Sequence, residues 1–125
     1  MCGIAGIFSK SGVEHEIVGK MVSRLVHRGP DADGYWGSDL YKAGMRRLSI
    51  LDCEGGNQPL FDESGQVVLF YNGEIYNSPS IRDELERDGV RFRTNSDGEV
   101  ICHLYRKYGR GMFARLDGMF AVALW

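Results

Sequence analysis

The apolar residues of this 125-residue chain fall mostly into short runs, and only three stretches repeat them at a helical period. Helix and strand alternate, but three helices cannot cover both faces of one large sheet. An α+β layered domain is the better fit. The first helix is read from Ile17, Val18, Met21, Val22 and Leu25 and is stopped by Gly29 and Pro30. The second begins near Ser78-Pro79, where a cap residue precedes proline at the first helical position, and ends at Gly89. The third is announced by Ser96-Asp97-Gly98-Glu99, an S-x-x-E capping-box pattern, with Val100, Ile101, Leu104, Tyr105 and Tyr108 as its apolar face. Strands are expected over residues 2–8, 34–37, 40–46, 66–71 and 119–125, with a further short apolar stretch over 48–51. Asn72-Gly73 reads as a turn dipeptide after the fourth of these strands.

A chain of this length suits one domain, 1–125, and a hydrophobic fraction of 43% is enough for a core. The formal net charge is -2 and no basic block stands out, so nucleic acid and membrane surfaces find no electrostatic support as partners. No apolar run approaches about 18 residues and no basic-then-apolar leader opens the chain, so a cytoplasmic protein is expected. Cysteines stand at 2, 53 and 102, an odd number without a C-x-x-C pair. Neither a disulfide framework nor a zinc site is expected.

Cys2 is the first chemical candidate. Once Met1 is removed, it carries a thiol and a free α-amine on one residue. An α-amino group titrates near about 7.7–8.0, so it can take a proton at neutral pH and serve as base for its own nucleophile. Asn72 and Gly73 offer a side-chain amide and an unhindered backbone N–H, the donors an oxyanion needs. Arg47 and Asp97 could complement the carboxylate and ammonium of an amino acid, Arg47 by its bidentate fork. Taken singly, Arg47 reads as a solvated strand charge, Asp97 as a first-turn acid and Asn72-Gly73 as a hairpin. His15, His27 and His103 have no acid or cysteine at motif spacing and read as surface or loop residues.

These pieces occur together. CGIAG from Cys2, HRGPDADG from His27, RRLSILD from Arg46, GNQPLF from Gly56, YNGEIYN from Tyr71, SDGEV from Ser96 and LDGMFAVALW from Leu116 stand in that order. The series resembles the glutaminase domain of class II amidotransferases, specifically the asparagine synthetase branch, over essentially the whole chain. The resemblance implies an N-terminal-nucleophile fold, an αββα sandwich of two antiparallel sheets, here C-terminally truncated. It implies that Cys2 attacks the side-chain amide of glutamine to give a thioester and ammonia, then glutamate. Asn72 and Gly73 would form the oxyanion hole, and Arg47 would hold the substrate carboxylate. Asp97 and Glu74 would hold its ammonium, while backbone groups of Leu48, Ser49, Ile50 and Leu51 line the pocket. No metal or cofactor is implied for this half-reaction. ATP and Mg belong to the synthetase domain, absent here, which as a domain or separate chain would receive the ammonia. Gly98 departs from the Thr, Ser or Cys usual in the family, and glycine in a first helical turn should loosen the backbone that carries Asp97. The chain stops inside a family strand at Trp125, so an open strand edge, an exposed Trp125 and self-association are expected. The alternative reading is a non-catalytic fragment or partner subunit that keeps the site residues.

Overall fold

The computed structural model describes residues 2–50, 52 and 55–125; Met1, Leu51, Cys53 and Glu54 lie outside the described residues. Two antiparallel three-stranded sheets face one another. The first joins β1 (Gly3–Phe8), β2 (Ala32–Gly37) and β3 (Tyr41–Arg47) in the order β1-β3-β2, and the second joins β4 (Leu60–Phe61), β5 (Val68–Ile75) and β6 (Gly118–Leu124) in the order β4-β5-β6. Helix α1 (His15–Ser23) packs on β1 and β3, while α2 (Ser78–Arg87) and α3 (Glu99–Tyr108) cover the other sheet. The layers therefore run α, β, β, α, as the resemblance implies. Among the described residues no helix is long and apolar enough to cross a membrane.

The central strand β5 explains the stacking. Val68, Leu69, Phe70 and Tyr71 are buried in succession, which requires cover on both faces. Leu69, Tyr71 and Ile75 belong to a core with Ile81, Leu85, Val100, Ile101 and Leu104 of the helices. Phe70 turns the other way, onto Ala43 and Met45 of β3. At one end of the sandwich Trp125 stacks on Tyr41, ring centroids 5.0 Å apart, tying the two sheets together. Trp125 is 43% exposed, as expected, with its ring partly covered by Tyr41, and β6 lies at the edge of its sheet with mixed exposure along its length.

Several local expectations fail for stated reasons. Helix α1 ends at Ser23, short of Gly29, and the chain reaches Gly29 through tight turns such as Leu25 N–H to Val22 O at 2.9 Å. Only Val18 and Val22 of its apolar positions are buried; Ile17 remains 45% exposed because three strands present a narrow platform. At the start of α2, Asn77 makes no cap bond. Its side chain instead holds Arg115 O at 2.8 Å and Asp117 N–H at 2.9 Å, fixing the entry to β6. The capping box of α3 does not close either. Ser96 Oγ accepts from Gly98 N–H at 3.3 Å, and Glu99 turns away to the preceding loop.

Candidate functional site

Cys2 leads into β1, whose first residue Gly3 pairs with Arg46 of β3. Its Sγ accepts from Leu48 N–H at 3.4 Å and lies 3.7 Å from Leu48 O, while its carbonyl accepts from Arg28 Nε at 3.0 Å. The sulfur is half-buried beside Phe70, Ala43 and Met45. Cys102 is its opposite: buried within α3, where desolvation and then the charges of Glu99 and Asp62 push its thiol well above the ordinary range. A thiol so placed is unreactive.

The expected Asn72-Gly73 turn is not there. Both residues lie inside β5, Asn72 opposite Ala121 and Gly73 opposite Phe120 of β6. Long-range pairing overrides the local turn signal, and Gly73 is needed because a Cβ there would stand 2.2 Å from Met119 O. The ladder then orients the donors. Val68 and Trp125 exchange bonds of 2.9 Å, and Tyr76 N–H meets Asp117 O at 2.7 Å, so even-numbered residues of β5 point their N–H groups at β6. Odd-numbered residues point to the opposite edge. There Tyr71 N–H is taken by Gln58 Oε1 at 2.6 Å and Ile75 N–H by Asp97 Oδ2 at 2.8 Å. Gly73 N–H lies between them, beyond the reach of the two-residue β4. Asn72 and Glu74 share the Phe70 side of the strand, toward Cys2, and their side chains bond no described residue.

Arg47 corrects its expectation as a solvated charge: it is 5% exposed. One terminal nitrogen donates to Asn57 Oδ1 at 3.0 Å and the other to Asp52 O at 2.7 Å. Asp52 also accepts from Gly55 N–H at 3.0 Å and Asn95 N–H at 2.8 Å, so one carboxylate ties the Arg47 loop to the Asp97 loop. Glu99 anchors the Asp97 loop from the other side. Its carboxylate accepts from Arg93 N–H at 2.8 Å, Thr94 N–H at 2.7 Å and Thr94 Oγ1 at 2.6 Å. Arg82 of α2 adds bonds to Thr94 O at 3.0 Å and Ser96 O at 3.2 Å. His103, expected at the surface, is buried one helical turn from Glu99, its Nε2 3.4 Å from Oε1, an i,i+4 spacing that the sequence displays.

Burial pushes the Glu99 carboxyl up, but the bonds from His103, Thr94 and the Arg93 and Thr94 amides outweigh it and hold it at about 2. A folded value below the unfolded 4.5 means that this stabilisation is complete above pH 4.5 and is lost as pH falls toward 2. Glu99→Gln should therefore lower stability at neutral pH by on the order of 3 kcal/mol. Its melting temperature should also fall less steeply than the parent's between those pH values. Parallel melting curves against pH for the two proteins would refute this.

A cavity of about 240 Å³ gathers these groups: Cys2, Arg47, Leu48, Ile50, Asn72, Gly73, Glu74 and Asp97 all line it. Ser49 lies beside it, its N–H donating to Asp31 Oδ2 at 2.8 Å, and Leu51 falls outside the described residues. Gly56, Gln58, Tyr71, Ser96 and Met119 also line the cavity, and the sequence assigned none of them a role in it. Gln58 stood in GNQPLF without a role; its side-chain amide pairs with the Tyr71 backbone as a strand would, at 2.6 and 2.8 Å.

A sandwich of this layering, with Cys2 at the head of β1 and the free edge of β5 lining one cavity, has the architecture of the N-terminal-nucleophile amidotransferase fold. The chain belongs to the glutamine amidotransferase domain family, which it matches over residues 1–125. It is 43% identical over 130 residues to asparagine synthetase [glutamine-hydrolyzing] 1 of Bacillus subtilis (strain 168), covering 100% of this chain and 21% of that protein. It is 42% identical over 128 residues to asparagine synthetase [glutamine-hydrolyzing] 1 of Arabidopsis thaliana, covering 99% of this chain and 21% of that protein. The chain thus spans about a fifth of the length of these relatives. Glutamine phosphoribosylpyrophosphate amidotransferase of B. subtilis, solved with ADP and GMP, shares the fold with a TM-score of 0.80 at 20% identity, over 98% of this chain and 34% of that one.

Proposed function

We propose that this domain hydrolyses the side-chain amide of glutamine through a thioester on Cys2. The observation that carries the reading is that Cys2, Asn72, whose amide bonds no described residue, and Gly73, whose N–H points away from β6, line one cavity. Arg47 and Asp97 line the same cavity, with charges opposite to those of an amino acid's carboxylate and ammonium. The α-amine of a processed Cys2 takes the thiol proton, and the sulfur attacks the amide carbon. Asn72 and Gly73 N–H stabilise the oxyanion. The carbon–nitrogen bond breaks, and nitrogen leaves as ammonia with the proton that the amine held. Water then cleaves the thioester to glutamate and restores the thiol. Glu74 is the second acid near the substrate's ammonium.

None of these steps calls for a metal or cofactor. ATP and Mg would serve a synthetase part that accepts the ammonia, as a domain or a separate chain. A half-exposed thiol nucleophile suits the reducing cytoplasm.

Because the base is the nucleophile's own amine, Met1 must be absent from active protein. Intact-mass measurement of the active fraction should place the N-terminus at Cys2. Glutamate release at full rate from protein that retains Met1 would sink the assignment of the base.

A further inference from the structure

The geometry points to Tyr71 as a positioning residue that orders Asp97 for the substrate's ammonium, with Gly98 as the space that its ring requires. The inference rests on the glutaminase reading, since it takes Asp97 as the acid that meets the ammonium.

Tyr71 Oη donates to Asp97 Oδ2 at 2.6 Å, and Ile75 N–H donates to the same oxygen at 2.8 Å. Two donors converging on one oxygen fix the plane of the carboxylate. They leave Oδ1 without a partner among the described residues, on a side chain that lines the cavity. Tyr71 is itself held, because Gln58 bonds both its N–H and its C=O. Burial, and then the bond to Asp97, push the phenol far above its ordinary range, so it remains a donor wherever the enzyme works.

Gly98 is small for reasons of space. Its φ of -67° and ψ of -25° suit any residue, so no backbone demand calls for glycine. A Cβ at 98, however, would lie 2.5 Å from Tyr71 Cδ1 and 3.0 Å from Cε1 and Cγ. Tyr71 sits on a pinned strand and is buried against the helices, so its ring has little room to retreat. A larger residue at 98 therefore displaces the phenol from Asp97. The departure that should loosen the acid's backbone instead admits a second tether for the acid itself.

The test compares glutamine kinetics with inhibition by 4-carbamoylbutanoate, the analogue that lacks the α-ammonium. Tyr71→Phe keeps the ring and removes the donor. KM for glutamine should rise about tenfold while kcat changes less than about threefold, and the inhibition constant of the analogue should hold steady. Gly98→Ala should do the same with Tyr71 in place and cost little in a Tyr71→Val background, since the clash is then gone. An unchanged KM in both Tyr71→Phe and Gly98→Ala, or an equal loss of glutamine and analogue, overturns the proposal. A parent protein that neither binds nor hydrolyses glutamine sinks the glutaminase reading and this inference with it. An active parent with indifferent variants sinks this inference alone.

Discussion

Cys2→Ala is expected to lower glutamine-dependent glutamate release by about ten-thousandfold or more and to leave glutamine affinity near that of the parent. The two effects separate because they come from different parts of the cavity. On the proposed mechanism the Cys2 thiol alone forms the bond to the amide carbon, and no other described cysteine can replace it: Cys102 is buried in α3 with its thiol suppressed. Affinity, on the same proposed mechanism, resides with Arg47, Glu74 and Asp97, which line the same cavity and which the substitution does not touch. Little structural damage should follow, since the Cys2 side chain is half-buried and its bonds among the described residues are the weak sulfur contacts with Leu48. Cys2→Ser should fail as well, because an alcohol is a poorer nucleophile at the same position. Calorimetric titration with glutamine beside a glutamate-release assay checks both halves. Turnover that survives in Cys2→Ala would remove the thiol from the mechanism.

Asn72→Ala should lower kcat by about a hundred- to a thousandfold with little change in KM. Asn72 sits in the middle of β5, where alanine keeps the pairing with Ala121, so the sheet and the neighbouring Gly73 N–H should persist. What goes, on the proposed mechanism, is one of two donors aimed at charge that exists only after the sulfur attacks. An interaction made in the transition state alone appears in kcat. Some activity should remain through Gly73. Steady-state kinetics decide it: a rise in KM with kcat intact would make Asn72 a ground-state contact.

The sequence revealed the layers better than the joints between them. Strand and helix positions were legible because burial imposes periods of two and of about 3.6 on apolar residues, as in the continuous run Val68–Tyr71 and the α3 face at Val100, Ile101 and Leu104. Asn72-Gly73 misled because a turn dipeptide is a local signal, whereas its strand identity comes from β6, far along the chain. Ser96 and Glu99 matched a capping box by spacing alone; in the fold Glu99 serves the Arg93–Thr94 backbone instead, a demand that only the loop's path creates. Asp52, Gln58 and Tyr71 act by bridging segments, so no local pattern marks them. Tyr71 left a trace all the same: the glycine at 98 is the imprint of its ring.

The central claim is a glutamyl thioester on Cys2, and acid-quench mass spectrometry during turnover reads it directly. A glutamyl adduct should appear on the N-terminal peptide, present only with glutamine and absent from Cys2→Ala. An adduct on Cys53 or Cys102, or steady glutamate release with Cys2 unmodified at every quench time and turnover preserved in Cys2→Ala, would contradict it.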